Sequence, residues 1–262
     1  MTRLGIIGGT NASVGDVDLE AAVVATAYGA CVVETGTIAG AKVAFVRRHR
    51  AGHELLSSAV THRANVRALA DIGVDAIVAT TVCGIIDPRI ALGVPILFDD
   101  LHFPDNRLPD GSPCTFFDEP GDPDRGHLIA PTPFSPALRV QLLDAAARAG
   151  VEVRDGGTYI HALGPRFNTK AEIAHFAACG GTAVSQTAGP EAVLAGELEI
   201  PYCLLGFGVD YANGVTADPT PAEILGANVE RSKGVFAAVL TELATGFRPM
   251  GFDTGFIYRM GR

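Results

Sequence analysis

Ala183-Val184-Ser185-Gln186, then Pro190-Glu191-Ala192-Val193-Leu194-Ala195-Gly196-Glu197-Leu198, then Cys203-Leu204-Leu205-Gly206-Phe207-Gly208-Val209 read as strand, helix, strand. Two apolar runs of strand length flank an Ala-rich stretch that opens on a proline, and both runs give way to polar residues at their carboxyl ends. Strands that are apolar throughout are covered on both faces, which is the pattern of an α/β fold. The same alternation extends outward in both directions. It predicts further strands over Arg3–Ile7, Val43–Arg47, Ala76–Thr80 and Ile96–Phe98. It predicts helices over Ser57–Ile72, Pro136–Ala149, Lys170–Cys179 and Pro221–Thr245. Thr220, Pro221 and Glu223 read as a capping hydroxyl, a first-turn proline and a first-turn acid, and Gly150 as the stop of the helix before it. Asp99–Gly126, rich in Asp, Pro and Gly, and the tail Gly246–Arg262 read as irregular. With no linker or repeat, residues 1–262 are expected to form one domain, a length usual for a single α/β unit.

The net charge of −9 disfavours binding to nucleic acid, and Arg47-Arg48-His49-Arg50 is the longest basic run. No stretch approaches the roughly 18–20 apolar residues of a membrane span, and the start lacks the pattern of a secretory leader, so a soluble, cytoplasmic protein is expected. The five cysteines, Cys31, Cys83, Cys114, Cys179 and Cys203, are odd in number and form no CxxC pair. They are expected to be reduced core thiols, with no metal.

Several strand ends carry polar chemistry. Leu4-Gly5-Ile6-Ile7-Gly8-Gly9-Thr10-Asn11 is a strand running into a turn that can bring backbone N–H groups to an anion, and it fits a plain tight turn equally well. It lacks the glycine spacing of a dinucleotide site, which weighs against a dinucleotide-dependent oxidoreductase. Arg48 and His49, with His53 following, can bind phosphate or form a solvated basic turn. Thr80-Thr81-Val82-Cys83-Gly84 and Ser185-Gln186-Thr187 put hydroxyls at two strand ends, and Asp210 follows the run ending at Val209. A carboxylate at such an edge is a candidate acid.

In this order the segments resemble the 5′-methylthioadenosine and purine nucleoside phosphorylases. The resemblance is carried by Ile6-Ile7-Gly8-Gly9-Thr10, Arg48-His49 with His53, His62-Arg63-Ala64-Asn65, Thr80-Thr81 through Cys83-Gly84, Gly164-Pro165-Arg166-Phe167, Pro190-Glu191-Ala192-Val193-Leu194-Ala195 and Asp210-Tyr211. It implies a mixed central sheet flanked by helices, a homotrimer, and inorganic phosphate as co-substrate with no cofactor. It implies that Thr10, Arg48, His49, Thr81 and Thr187 surround phosphate and that Phe167 packs on the purine. Val82, Cys83, Gly84, Gln186 and Asn213 would line the base and sugar. His127 would reach the 5′ end of the sugar from a neighbouring subunit. Asp210 would hold or share a proton with purine N7 as the glycosidic bond breaks.

Three departures bear on substrate. Ala212 stands where adenine-specific members carry a second aspartate, Gln186 replaces a methionine under the ribose, and Val82 replaces an alanine. Gln186 can hydrogen-bond a sugar hydroxyl, whereas methionine only packs. The expected activity is phosphorolysis of 5′-methylthioadenosine or a related 5′-modified nucleoside, leaning slightly to 6-amino bases. The alternatives are a 6-oxopurine nucleoside phosphorylase acting on inosine, guanosine or methylthioinosine, and a non-catalytic nucleoside-binding protein.

Overall fold

The apolar runs form the middle of one mixed sheet in the computed structural model, which describes residues 2–9 and 17–259. In chain order the elements are β1 (Arg3–Gly8), β2 (Glu20–Thr26), β3 (Gly29–Ile38), β4 (Ala41–Arg47), α1 (His62–Ile72), β5 (Ala76–Ile85), β6 (Pro95–Leu97), β7 (Asp100–His102) and β8 (His127–Ile129). They continue with α2 (Pro136–Arg148), β9 (Arg154–Asp155), β10 (Thr158–His161), α3 (Lys170–Ala178), β11 (Gly181–Ser185), α4 (Ala188–Glu197), β12 (Tyr202–Tyr211), α5 (Ala222–Gly246) and β13 (Phe256–Tyr258). The sheet runs β2-β3-β4-β1-β5-β11-β10-β7, with β12 also on β5, β6 on β12 and β9 on β6. Helix α1 packs with α4 and α2 with α5, and both pairs cover the sheet. Leu4, Ile6, Val43, Ile77, Val78, Leu204 and Leu205 are almost fully buried, as strands covered on both faces require.

Strand β5 positions the site. Along one edge, Ala76–Ala79 pair in parallel with Leu4–Ile7 of β1, while Gly84 and Ile85 pair antiparallel with Val184 and Ala183 of β11. Its other edge pairs with β12 throughout. Between the two partners, residues 80–83 have no strand beside them on that edge. The sheet therefore splits where the carboxyl ends of β1, β5, β11 and β12 converge, the kind of place where open α/β sheets bind ligands.

Several sequence expectations are corrected. The stretch predicted as one helix over Ser57–Ile72 is a short 3-10 turn at Ser57–Ala59, then extended backbone at Val60, with α1 starting only at His62. The β-branched pair Val60-Thr61 sits at the break, residues that lose rotamer freedom in a helix. Helix α4 begins at Ala188, placing Pro190 inside its first turn, where a missing N–H costs nothing. The Thr220 hydroxyl does not cap α5; it accepts the Tyr211 N–H instead, and Pro221 takes the cap position. Strand β12 extends through Tyr211, so Asp210 lies within the strand. Gly150 does end α2, at φ +68°.

Glu20–Ile38, assigned nothing from sequence, forms the edge hairpin β2–β3, whose half-exposed strands lack a continuous apolar run. Asp99–Gly126 contains β7 and is pinned rather than loose. Arg63 binds Asp118 and the Pro113 carbonyl, and the Glu197 carboxylate accepts from Thr115 Oγ1 and the Phe116 N–H. The tail is also ordered in part, because β13 pairs with β8. Four cysteines are buried free thiols as expected; Cys179 is exposed.

Candidate active site

The split in the sheet opens into a cavity of about 330 Å³. Arg48, His49 and His53, just past the end of β4, line it together with Thr81, Val82, Cys83 and Gly84 of β5 and Val184 and Ser185 of β11. Gln186, Thr187, Pro165, Phe167, Asn168, Asp210 and Asn213 complete most of the remaining wall. The structure thus brings together every expected site residue except two. Thr10 lies outside the described residues. His127 sits on β8, opposite Tyr258 of β13, and does not line this cavity.

Arg48 is the most constrained of these groups. Its side chain is fully buried, and its Nε and Nη2 donate to the two carboxylate oxygens of Glu191 at 2.5 and 2.8 Å. Nη1 donates to the Thr80 carbonyl at 2.8 Å. A guanidinium has five N–H bonds, so two are left for a ligand. Gly9 makes this placement possible: a Cβ there would lie 2.6 Å from Thr80 O and 2.9 Å from Arg48 Nη1. Glu191 also accepts the Tyr202 hydroxyl at 3.1 Å. Burial pushes the Glu191 carboxyl up, but the charge and hydrogen bonds of Arg48 hold it well below the usual carboxylate range. In the sequence Glu191 stands out only as part of the Pro190–Ala195 motif. An acid in the first turn of a largely apolar helix, which carries one other at Glu197, was the signal, because a buried charge must have a partner.

The other basic residues of the sequence cluster are also paired: Arg47 with Glu34 and Arg50 with Glu54. His49 is nearly buried and stacks on His53 with centroids 4.3 Å apart. Burial, and then the adjacent Arg48 charge, pull its pKa down to about 4, so the ring is neutral at pH 7. A neutral ring facing the Leu55 carbonyl at 2.8 Å carries its proton on Nδ1. Thr81 and Thr187 are buried, and Thr81 Oγ1 lies 3.1 Å from Ser185 Oγ. Guanidinium, imidazole and hydroxyls on one rim suit a tetrahedral oxyanion.

Asp210 stands across a strand pair from Gly84, just after a bulge in β12. Burial raises its carboxyl pKa to about 6, against a hydrogen bond from its own backbone. Near pH 7 it therefore exchanges a proton readily, as a general acid must. Burial pushes the Cys83 thiol up and the Asp210 charge adds to this, so Cys83 is no thiolate nucleophile. Phe167 is 68% exposed and lines the cavity, a free aromatic face rather than a core residue. Asn213 spends its Nδ2 on the Asn168 carbonyl at 2.7 Å, leaving its oxygen free to accept. Gln186 is spent more fully: Oε1 accepts from Ser57 Oγ at 2.7 Å and Nε2 donates to the Arg166 carbonyl at 2.9 Å. Among the described residues no group of three or more His, Cys, Asp or Glu is placed to hold a metal ion.

An anion-suited rim, an aromatic face and a protonatable carboxyl in one cleft define a class of protein that can hold an oxyanion beside a flat heterocyclic compound. The chain belongs to the phosphorylase superfamily, which it matches over residues 3–245. It is 32% identical over 254 residues to the 6-oxopurine nucleoside phosphorylase of Pyrococcus furiosus, covering 93% of this chain and 92% of that one. It is 37% identical over 217 residues to a probable S-methyl-5′-thioinosine phosphorylase of Methanopyrus kandleri, covering 82% and 81%. Its fold superposes with a TM-score of 0.82 on a double mutant of the adenosine/methylthioadenosine phosphorylase of Schistosoma mansoni in complex with adenine. That pair is 25% identical over 93% of this chain and 91% of the other.

Proposed function

We propose that this chain is a purine nucleoside phosphorylase that cleaves 5′-methylthioadenosine or a related 5′-modified nucleoside. Inorganic phosphate is its co-substrate, and it uses no cofactor. The observation that carries this reading is the pairing, in one cavity, of the Arg48–His49–Thr81–Thr187 rim with the proton-exchanging carboxyl of Asp210. Phosphate held on the rim attacks C1′ of the sugar. The C1′–N9 bond breaks as the C1′–O bond forms, and the electron pair passes to the purine. Asp210 supplies or shares a proton at N7, which stabilises the leaving base, while Phe167 packs on its face.

A second reading, a 6-oxopurine specificity, is supported by the relatives named for 6-oxopurine and thioinosine substrates and by Ala212, which offers no second carboxylate. A homotrimer is part of the proposal. The antiparallel β8–β13 pair that carries His127 exposes Ile129, Phe256 and Tyr258, an apolar surface suited to a neighbouring subunit. A cytoplasmic location fits the lack, among the described residues, of any helix long and apolar enough to cross a membrane.

The test is release of free base from a panel of 6-amino and 6-oxo purine nucleosides, with and without 5′-methylthio groups, each with and without phosphate. Phosphate-dependent release is the expected result and names the base. Release that ignores phosphate, or none from any member, overturns the proposal.

A further inference from the structure

Gln186 stands where the family resemblance implies a methionine, and both ends of its carboxamide are bonded to protein. Oε1 takes the Ser57 hydroxyl proton, and Nε2 donates to the Arg166 carbonyl, one residue before Phe167. The side chain thus spans from the 3-10 turn at Ser57–Ala59 to the loop that carries the exposed aromatic ring. Three further hydrogen bonds hold that loop. Asn213 Nδ2 donates to the Asn168 carbonyl, and Arg166 forms a forked ion pair with Glu172 at 2.6 and 2.9 Å. Glu172 in turn closes a capping box with Thr169 at the start of α3. Gly164 is shaped to this arrangement, since a Cβ there would run into both Gln186 Oε1 and Ser57 Oγ.

We infer that Gln186 is a positioning residue: its carboxamide is a strut that holds the 164–168 loop, and with it Phe167, at the distance from the strand ends that a bound base requires. The inference rests on the proposed nucleoside site and deepens it. Phe167 is too exposed to be fixed by core packing, so its place is set by the bonds to its backbone neighbours. Arg166 and Glu172 lie on the solvent side, where water competes for each hydrogen bond. Gln186 lines the cavity, and its carboxamide, braced by the part-buried bond from Ser57, ties this loop to the end of β11. A methionine at 186 fills similar space but makes neither bond. The loop then loses its tie to the strand ends, and the bound base must supply the ordering that the strut provides in advance.

The experiment compares the full-length protein with its Gln186→Met and Ser57→Ala variants by hydrogen–deuterium exchange without ligand, and by steady-state kinetics. Net loss of two neutral hydrogen bonds corresponds to about a tenfold change or more in the local opening equilibrium. In Gln186→Met, exchange is expected to rise about tenfold in peptides covering 164–169 and to stay unchanged in β1, β5 and β12. Ser57→Ala, which removes one bond, should show a smaller rise in the same peptides. The nucleoside KM should rise about tenfold in Gln186→Met, with the phosphate KM within about twofold of the wild type. Unchanged exchange at 164–169, exchange raised throughout the domain, or nucleoside and phosphate KM rising together would each overturn the strut. The exchange measurement needs no turnover, so it decides the strut even if the wild-type protein releases no base from any nucleoside.

Discussion

Replacing Glu191 by glutamine keeps the side chain's shape and removes its charge, which isolates what the buried ion pair does. In the native protein both partners are inaccessible to solvent, and the carboxylate accepts from Arg48 Nε, Arg48 Nη2 and Tyr202 Oη. His62 Nδ1 lies a further 3.6 Å away from it. In Glu191→Gln the guanidinium keeps its charge while buried at the base of the cavity, facing an amide whose NH2 points donors at donors. Removing one partner of a buried pair costs about 3–5 kcal/mol. For a domain of 262 residues that lowers Tm by roughly 5–10 °C. Phosphate should then act as a replacement counter-ion, so added phosphate should raise the variant's Tm more than the wild type's. Differential scanning calorimetry with and without phosphate reads both effects. A Tm within about 2 °C of wild type, or a phosphate shift no larger than the native one, would refute the view that Glu191 neutralises Arg48 beneath the anion site. The pair also has an acid limit. The folded-state pKa of Glu191 is depressed, so its contribution is complete above the unfolded value near 4.3 and is lost as pH falls below that towards the folded value.

Asp210→Asn should separate stability from function. The Asp210 carboxyl is raised to about 6, so the folded state binds more protons than the unfolded state between about pH 4 and 6, and native stability falls as pH rises through that window. The variant cannot ionise, so it should be more stable at pH 8 by on the order of 2 kcal/mol and lack that slope, while base release drops at least a hundredfold. Undiminished turnover removes Asp210 from the chemistry, and an unchanged pH–stability profile removes it as the titrating group. Arg48→Ala should raise the phosphate KM about thirtyfold or more while changing the nucleoside KM far less, because a charged donor commonly contributes about 2 kcal/mol or more. Normal phosphate saturation in that variant would contradict its assignment.

The central strands and the site's membership were legible in the sequence for a common reason. Strands such as Ala76–Thr80 and Cys203–Val209 are buried on both faces, so they are written as continuous apolar runs, and the polar residues after them mark the ligand edge. The β2–β3 hairpin was not legible, because Val23 and Val32 pair with each other on an exposed face and the strands mix polar and apolar residues. Nor were the partners legible. Nothing in local sequence joins Arg48 to Glu191, 143 residues away, or Ser57 to Gln186, 129 residues away. Both bonds exist because the fold brings the ends of β4 and β11 against helix α4 and the Ser57–Ala59 turn, which the chain keeps far apart. Gln186 was read as a donor available to sugar, since sequence shows a side chain's capacity and not how much of it is already used.

The same difference changes how the phosphate site should respond to salt. Arg47-Arg48-His49-Arg50 reads as a patch of positive charge, which would attract phosphate through a long-range field that salt weakens. In the structure each arginine has a carboxylate partner, and His49 is neutral at pH 7. Attraction must then come from short-range donors: the two unspent N–H bonds of Arg48, the Thr187 hydroxyl, and the Thr81 hydroxyl once it turns from the Val82 carbonyl it meets at 3.1 Å. Buried contacts of this kind are screened little, while the chain's overall charge of −9 repels a phosphate dianion at a distance, and salt relieves that repulsion. The phosphate KM should therefore stay level or fall as potassium chloride is raised from about 50 to 500 mM at fixed pH. Steady-state kinetics at saturating nucleoside measures it directly. A phosphate KM that climbs steeply with salt would mean that net positive charge, and not the placement of individual donors, holds the anion.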